Sequence, residues 1–249
     1  MIASIEHNNE QYKIDLAKPI DISIPLKPGP DNVNAWWAQP VKIEPVVMGT
    51  FVGDVLQGGS VNFRNVFLNP HGNGTHTECV GHISKEPYTL NQCLRQFFHL
   101  AQLITVEPVQ LENGDRVIQK QQIEQLIANT KANAIVIRTL PNDATKKVRQ
   151  YSGTNFPYLD VEAAYYLFEK NIDHLLIDLP SVDRESDEGK LAAHHAFWQY
   201  PHATRTHATI SEMIYVPAEI TDGLYFLNLQ ITALENDASP GKPVLFELM

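Results

Sequence analysis

The sequence predicts an α/β fold, because segments with the pattern of strands alternate with segments with the pattern of helices. Residues 160–170 have a helical pattern, and the buried apolar run 175–179 follows directly. A helix and a strand in such short succession favour a crossover connection with parallel pairing. The chain has 249 residues, of which 43% are hydrophobic, which is enough to form a full core. Composition alone allows one domain or two, and we expect a single domain over residues 1–249.

The predicted elements follow from hydrophobic periodicity. Strand patterns occupy, in chain order, residues 12–26, 41–51, 103–108, 134–138, 175–179 and 225–233. Helical patterns occupy residues 119–129 and 160–170. Ile123, Leu126 and Ile127 recur at helical spacing in the first helix, whereas Leu227 and Leu229 alternate with polar residues in the last strand. Alternation of that length indicates a strand with one buried face.

Composition limits the partners that the chain can have. The formal net charge is −10, and the sequence has no basic run, so we expect no nucleic-acid partner. Residues 1–10 lack the cationic and apolar segments of a signal peptide, and no apolar run has the length of a membrane span. We therefore expect no membrane partner and a cytoplasmic location. Two cysteines, Cys79 and Cys93, are too few for a disulfide framework.

Three histidines and a carboxylate lie close together within residues 71–82, and they are His71, His76, Glu78 and His82. Neutral imidazole and carboxylate are ligands that suit Zn²⁺ and Mn²⁺. If residues 75–79 are extended, His76 and Glu78 point to the same face, because side chains alternate along a strand. Two glycines before that strand permit a tight turn that would bring His71 near. The sequence therefore predicts a metal site or an acid–base site here.

A second cluster of histidines lies far along the chain. Seven of the ten histidines fall within residues 71–82 and 194–207, and Glu212 follows shortly after. Two separated clusters that converge in the fold are a usual way to surround an ion, because one segment rarely does so alone. His194 and His195 are adjacent, and adjacent side chains on a regular element diverge. We therefore expect only one of them to face the site.

These motifs resemble those of the cyclase family, whose best-known members are bacterial kynurenine formamidases and isatin hydrolase. Residues 73–82, Asn-Gly-Thr-His-Thr-Glu-Cys-Val-Gly-His, resemble the family motif His-x-Gly-Thr-His-x-Asp-x-Pro-x-His. Further segments that resemble the family, in the family's order, are residues 20–26, 156–164, 177–183, 191–195 and 210–212. The resemblance covers nearly the whole chain. It implies a mixed, partly rolled sheet flanked by helices, the swivelling β/β/α architecture of the family.

The resemblance also implies a role for each motif residue. It implies that His76 and Glu78 are metal ligands and that His194 and Glu212 complete the site. It implies that His82 is either the catalytic acid/base or a ligand of a second ion. One or two divalent ions are implied, with Zn²⁺ ahead of Mn²⁺.

The chain departs from the family motif at three positions. The first histidine of the motif falls at Gly72, and His71 lies one residue earlier, so a ligand role for His71 requires a bulge or a one-residue shift. Glu78 stands where the family has aspartate, which lengthens the ligand arm by one methylene. Val80 replaces the proline of the motif. These departures affect the metal count and the substrate more than the reaction class.

The function implied by the resemblance is that of a metal-dependent hydrolase that cleaves an amide: an aryl formamide, a lactam or a cyclic amide. The metal would activate water, and His82 would transfer a proton to the leaving group. Asp183 and Thr75 are candidates to orient the ligand imidazoles, and the alternative for Asp183 is that it caps the segment that follows it. Two alternatives are a non-catalytic metal-binding protein of the same fold and a hydrolase of lactones or esters. A serine nucleophile is disfavoured, because the chain has no Gly-x-Ser-x-Gly elbow.

Four aromatic residues lie in segments that flank the metal motif in this family, and they are Trp36, Trp37, Phe63 and Phe67. Flat apolar side chains favour an aromatic or planar amide as the small-molecule substrate. The alternative for the two tryptophans is packing on the core or on a subunit interface. Family members are usually oligomers in which the amino-terminal loop reaches a neighbouring active site, so the resemblance implies a homodimer or homotetramer.

Overall fold

The computed structural model of the chain describes residues 1–7 and 9–249. Its strands, in chain order, are β1 (Ile2–His7), β2 (Glu10–Asp15), β3 (Ile20–Asp21), β4 (Lys42–Pro45), β5 (Val47–Met48), β6 (Phe51–Val52), β7 (Arg64–Phe67), β8 (His76–Cys79), β9 (Phe98–Val106), β10 (Val109–Gln110), β11 (Arg116–Ile118), β12 (Ala134–Thr139), β13 (Tyr158–Leu159), β14 (His174–Ile177), β15 (Thr209–Glu212), β16 (Gly223–Ile231) and β17 (Ala238–Glu247). Its α-helices are α1 (Leu90–Cys93), α2 (Lys120–Ile127), α3 (Val161–Glu169) and α4 (Ala192–Trp198). Short 3₁₀ turns occupy Val55–Gln57, Val80–His82 and Ala144–Val148.

The main sheet closes on itself. Its strands run in the order β16, β9, β12, β14, β15, β8, β17, and β17 also pairs with β16, while β3 joins β17 as an extra strand. Strands β9, β12, β14 and β15 are parallel to one another and are joined by connections that contain α2, α3 and α4. The remaining pairs of the ring are antiparallel. The prediction of a mixed, partly rolled sheet flanked by helices is confirmed.

Side-chain alternation gives this ring two separate cores. On β12, Ala134 and Val136 belong to an apolar cluster that also holds residues of β16 and β17, so this cluster fills the ring. Ile135 and Ile137 belong to a second cluster that holds the apolar faces of α2, α3 and α4, so this cluster lies outside the ring. Burial of one large apolar side chain stabilises a fold by about 1.5–3 kcal/mol. The strands are therefore covered on both faces, as parallel strands require.

The predicted helices are confirmed, with small shifts at their ends. Helix α3 begins after Asp160, whose carboxylate accepts a hydrogen bond from the Glu162 N–H at 3.3 Å, as favourable N-cap residues do. Helix α2 begins after Gln119, which exchanges hydrogen bonds with Gln122 in a capping box. The parallel pairing of β12 and β14 on either side of α3 confirms the predicted crossover. No helix among the described residues is long and apolar enough to cross a membrane.

Several strand predictions are only partly correct. The pattern at residues 12–26 contains β2 and β3 with a turn between them, and the pattern at 41–51 contains β4 and β5. Strand β17 is not predicted, although it is the longest strand of the ring. Prolines at positions 240 and 243 argue against a strand, and yet β17 pairs with both β8 and β16.

Residues 42–67, which we call the arm, lie outside the ring. Strand β4 pairs with β7 and β5 pairs with β6, and neither pair joins the main sheet. The exposed large apolar side chains of the arm are Val47, Met48, Val55, Leu56, Val61, Phe63, Val66 and Phe67. An apolar surface of this kind is typical of an interaction site.

A buried ion pair ties the carboxyl ends of two parallel strands together. Lys146 Nζ lies 2.7 Å from Asp178 Oδ2, and it also donates to the carbonyl oxygen of Thr139 at 2.6 Å. Thr139 ends β12, and Asp178 directly follows β14. Burial raises the pKa of Asp178 and lowers the pKa of Lys146, although each charge partly offsets the other. This pair fixes the start of the loop at residues 179–183, which leads to the polar site described next.

Candidate metal centre

The site forms on the outer face of the ring, where β8 pairs with β15. The antiparallel register places His76 directly opposite Glu212, and Glu78 lies one pleat further along the same face. Thr77 and Cys79 point the other way. Thr77 Oγ1 lies 2.8 Å from the hydroxyl of Ser211, and Cys79 packs in the core of the ring. Because β8 is extended, the structure places His76 and Glu78 together as the motif predicts.

Potential ligand atoms approach one another closely at this point. His76 Nε2 lies 3.4 Å from Glu212 Oε2. Glu78 is contacted from two sides: its Oε1 lies 3.0 Å from His194 Nε2, and its Oε2 lies 3.1 Å from His71 Nδ1. One potential ligand atom each from His71, His76 and Glu78 lies within 4.8 Å of the others. These residues therefore form a cluster that could hold a metal ion.

His71 reaches the cluster by a turn rather than by a bulge in the strand. The N–H of Asn73 donates to the carbonyl oxygen of Asn69 at 3.0 Å, and the side chain of Asn69 accepts the Gly72 N–H at 3.1 Å. A Cβ atom on Gly72 would lie 2.4 Å from the Cβ of Ala38, so a histidine at the family's position does not fit here without rearrangement. Of the two alternatives, a bulge or a one-residue shift, the turn through the glycines corresponds to the shift, because it carries the His71 ring to the cluster from one residue before the family's position.

His194 enters the cluster from the start of α4, and Asp183 holds the side of the ring opposite Glu78. Asp183 accepts hydrogen bonds from the backbone N–H of Ala193 at 2.7 Å and of His194 at 3.1 Å, and it also contacts His194 Nδ1. Asp183 therefore orients the imidazole, as predicted, and also binds the free N–H groups at the helix start. His195 lies outside the cluster, with its Nδ1 3.0 Å from the carbonyl oxygen of Tyr200.

The carboxylates control the charge of the imidazoles. Burial alone would lower the pKa of His194, but hydrogen bonds to Asp183 and Glu78 raise it well above its usual value. Burial likewise opposes the charge on His71, whereas contacts with Asp237 and Glu78 raise the pKa of His71 to about 10. The cluster therefore stabilises positive charge at its centre.

Two polar atoms of the cluster are buried without a hydrogen-bond partner, His76 Nε2 and Glu78 Oε2. Glu78 Oε2 lies 3.1 Å from His71 Nδ1, but the alignment does not meet the geometry of a hydrogen bond. An unsatisfied buried polar atom costs about 1–3 kcal/mol. A divalent cation bound by both atoms would remove that cost, so the residues present fit a metal ion.

The expected orienting role of Thr75 is wrong. Its hydroxyl donates to the carbonyl oxygen of Met213 and accepts the Ile24 N–H at 2.8 Å, so it joins three backbone segments. The carbonyl oxygen of Gly74, 2.9 Å from His76 Nδ1, orients that imidazole instead. The turn that precedes β8 therefore supplies the contact that was expected from the threonine.

His82 and Asp237 lie at the rim of the cluster. His82 is on the 3₁₀ turn after β8, and its Nδ1 lies 3.3 Å from Asp237 Oδ2 and 3.8 Å from Glu78 Oε2. Asp237 Oδ2 also lies 2.9 Å from His71 Nε2. No sequence motif points to Asp237, because no histidine lies near it in the chain. Only the pairing of β17 with β8, which sets Ala238 opposite Glu78, brings it to the site.

A cleft of about 340 Å³ opens over the cluster. His71, His82, His194 and Glu212 form its polar floor, and Trp36 forms part of its wall. Trp36 packs edge-on against Phe156, with 5.8 Å between the ring centroids. Hollows of about 410 and 500 Å³ lie beside the β1–β2 hairpin and the base of the arm, and no side chain of the cluster lines them.

The other three aromatic residues predicted to line a pocket do not line this cleft. Trp37 is 72% exposed, and Phe63 and Phe67 are exposed on the arm. Trp37 and Phe67 lie beside separate hollows. Of the four aromatic residues that flank the motif, Trp36 alone lines this cleft.

Comparison with known proteins places the chain in a family. The model of the Cyclase family, described as "Putative cyclase", matches residues 14–184, and the chain belongs to that family. A kynurenine formamidase from Bacillus cytotoxicus is 26% identical over 228 residues, which cover 91% of this chain and 96% of that protein.

Solved structures share the fold at lower identity. Isatin hydrolase A from Ralstonia solanacearum has a TM-score of 0.65 at 15% identity, over 92% of this chain and 91% of that one. A structure described as a potential metal-dependent hydrolase with cyclase activity has a TM-score of 0.63 at 18% identity, over 92% of this chain and 97% of that one. These similarities concern the fold.

Proposed function

We propose that this chain is a metal-dependent hydrolase that cleaves the C–N bond of an aryl formamide, a lactam or a cyclic amide. The observation that carries the proposal is the pair of orphaned buried atoms, His76 Nε2 and Glu78 Oε2, at the base of an open cleft. Buried polar atoms without partners are rare and call for an explanation. The family and the kynurenine formamidase relative favour the amide class.

The residues that would hold the metal are His71, His76, Glu78, His194 and Glu212. Their nitrogen and oxygen donors suit Zn²⁺ or Mn²⁺, as one ion or two. When bound, such an ion polarises the substrate carbonyl and lowers the pKa of water. Glu212 is itself held in place, because its Oε1 accepts the Val182 N–H at 3.0 Å. The donors are therefore fixed before any substrate arrives.

His82 is the proposed proton-transfer residue. It lines the cleft, its side chain is 29% exposed, and it lies next to the cluster. An imidazole accepts and releases protons near neutral pH, so it can take a proton from water and deliver it to the leaving nitrogen. Trp36 would cover the flat face of an aromatic substrate. A cleft of about 340 Å³ suits a small molecule.

A panel of metal-loaded assays tests the proposal. Formanilides, lactams, cyclic imides, esters and lactones are compared before and after treatment with a chelator. We expect an aromatic amide to be the best substrate, and we expect activity to vanish with the metal and return with Zn²⁺ or Mn²⁺. A preference for an aliphatic lactone over every aromatic amide would reject the amide class. Full metal loading with no turnover would favour a non-catalytic metal-binding protein.

A matched pair of variants tests the cleft wall. Trp36→Leu removes a ring that lines the cleft, whereas Trp37→Leu removes a neighbouring ring that does not. An aromatic contact contributes about 0.5–1.5 kcal/mol beyond its area, so we expect KM to rise by roughly 2- to 10-fold in the first variant only. Equal effects in both variants would reject Trp36 as a substrate contact.

We also propose that the chain forms a homodimer or homotetramer through the arm. Leu56 on the arm is 91% exposed and stands among other exposed apolar side chains, a surface that a second copy would cover. Light scattering on Leu56→Asp should show a smaller assembly than the unmodified protein. Leu126→Asp, an exposed leucine on α2 away from the arm, is the control and should leave the assembly unchanged. A monomer in the unmodified protein would reject the proposal.

A further inference from the structure

We propose that Asp237 is a positioning residue that fixes the tautomers of both His71 and His82. The kinetic part of this inference rests on the proposed function, whereas its structural part does not. Asp237 Oδ2 lies 2.9 Å from His71 Nε2 and 3.3 Å from His82 Nδ1. A carboxylate accepts hydrogen bonds and does not donate them when it is ionised. An aspartate carboxylate is ordinarily ionised at neutral pH, so Asp237 can accept from both rings.

The two contacts dictate where each ring carries its proton. With a metal ion bound, His71 would donate through Nε2–H and would keep Nδ1 unprotonated, on the side where Glu78 Oε2 lies 3.1 Å away. That nitrogen is then available as a ligand, in the carboxylate–histidine–metal arrangement common in metal sites. His82 donates through Nδ1–H, which leaves Nε2 unprotonated and able to accept a proton. One carboxylate thus prepares one ring for the metal and the other for proton transfer.

The position of Asp237 is fixed by the strand that carries the ligands. Its carbonyl oxygen accepts the Cys79 N–H at 3.0 Å, and the next residue, Ala238, pairs with Glu78. The preceding residue, Asn236, accepts the Leu90 N–H at 2.8 Å through its own carbonyl oxygen. The backbone therefore holds Asp237 in register with Glu78 without help from the aspartate side chain. Removal of that side chain should leave the loop in place.

A different role is possible on geometry alone, namely ligation of a second ion. Potential ligand atoms of His71, His82 and Asp237 lie within 4.8 Å of one another. The two roles predict different metal contents. A positioning residue can be removed with the metal stoichiometry intact, whereas removal of a ligand lowers the stoichiometry by one equivalent.

The decisive experiment compares Asp237→Ala and Asp237→Glu with a control, Glu235→Gln. Glu235 lies in the same loop and binds Thr89 and Asn91 rather than the histidines. The zinc-loaded proteins are labelled with ¹⁵N histidine, and the ring-nitrogen signals of His71 and His82 are assigned with His71→Gln and His82→Gln. In the unmodified protein we expect the Nε2–H form of His71 and the Nδ1–H form of His82. Asp237→Ala should lose the Nδ1–H preference of His82, and Glu235→Gln should keep it.

Metal content and kinetics complete the test. We expect Asp237→Ala to keep its metal stoichiometry while kcat falls by roughly 10- to 100-fold with little change in KM. Asp237→Glu should restore part of the loss. Loss of one metal equivalent in Asp237→Ala, or an unchanged tautomer of His82, would overturn the inference. If Asp237→Ala fails to fold, the same measurements on Asp237→Ser decide. If the unmodified protein hydrolyses no amide, the proposed function fails, but the NMR and metal data still judge Asp237.

Discussion

The two ends of the parallel strands bury histidines in opposite electrostatic surroundings. Beyond the carboxyl end of β15, His194 contacts two carboxylates, and its pKa is raised well above the usual value although burial opposes the charge. At the amino ends of β9 and β14, His99 and His174 lie with their ring centroids 3.9 Å apart. Burial, followed by the charge of its neighbours, lowers the pKa of His174 well below its usual value.

Burial alone therefore does not decide the charge of a histidine in this protein. The His99 ring is fixed by neutral partners, because its Nε2 lies 3.1 Å from the carbonyl oxygen of Gln96 and its Nδ1 lies 3.3 Å from Asn133 Nδ2. The His174 ring contacts the hydroxyl of Thr209 at 2.9 Å. These partners satisfy a neutral imidazole and give no site for a cation. The carboxylates around His194 instead favour the positively charged imidazole.

Among the variants, we expect the largest loss of metal and activity when a proposed metal ligand at the carboxyl ends of the strands is removed. His76→Ala removes a buried nitrogen that has no hydrogen-bond partner and that would bind the metal, so we expect bound metal and activity to be lost together. Elemental analysis and an amide assay on the same preparation measure both. His195→Ala, which removes a neighbouring histidine outside the cluster, is the control and should keep both. Retention of full metal in His76→Ala would contradict the assignment.

His82→Ala separates proton transfer from metal binding. We expect turnover to fall by about 10²–10⁴, the usual contribution of general acid–base catalysis, with bound metal unchanged. Metal content and kcat are measured on the same sample. Loss of one metal equivalent would show instead that His82 is a ligand and that the site holds two ions.

Lys146→Met tests the buried ion pair at the carboxyl ends of β12 and β14. We expect this pair to stabilise the fold whether or not metal is bound. The change leaves Asp178 buried without its ion-pair partner, and breaking a buried pair in this way costs about 3–5 kcal/mol. Urea unfolding of the chelator-treated and metal-loaded proteins should show the same loss in both. Lys18→Met, which changes an exposed lysine between β2 and β3, should change stability little. A loss that depends on metal would show that the pair is part of the metal site.

We expect a smaller effect from His99 and His174, the pair at the amino ends of the strands. Their protonation should make the free energy of unfolding depend on pH. The pKa values of His99 and His174 are lowered in the folded protein, so the unfolded chain binds protons more readily below pH of about 6.5. The stabilisation from the neutral rings is present above that pH and is lost as the pH falls toward the folded pKa values. The slope is up to about 1.4 kcal/mol per pH unit for each histidine.

Urea unfolding between pH 7 and pH 5 measures that slope. The unmodified protein should lose stability over this range, and His174→Asn should show a shallower slope because it lacks one of the two titrating rings. His202→Asn changes an exposed histidine and should keep the original slope. Equal slopes in all three proteins would contradict the comparison between the two ends.

Much of the fold follows from local patterns in the sequence. The helix at 160–170 and the buried strands on either side have strong periodicity and a clear N-cap, and they appear nearly as predicted. Strand β17 could not be predicted, because Pro240 and Pro243 cannot donate ladder hydrogen bonds and usually exclude a strand from the middle of a sheet. Its pairing depends on the closed ring, which periodicity does not reveal.

The candidate site also contains residues that local sequence patterns predict and residues that they do not. Spacing alone suffices for His76 and Glu78, since two residues on one strand face share a direction. The position of Asp237 depends on a partner strand more than a hundred residues away in the chain, so no local motif contains it. His71 could be predicted only in part. The sequence shows the glycines of the turn that follows it, but it does not show the direction in which that turn orients the imidazole.

The metal content of the unmodified protein shows whether the cluster around His76 and Glu78 binds an ion. The protein is purified, treated with a chelator, reconstituted with Zn²⁺ or Mn²⁺ and analysed for metal, and its thermal unfolding is measured before and after. We expect at least one equivalent of bound metal and a higher Tm in the loaded protein, because a ligand that binds only the folded state stabilises it. Less than about a tenth of an equivalent after reconstitution, with an unchanged Tm, would contradict the account.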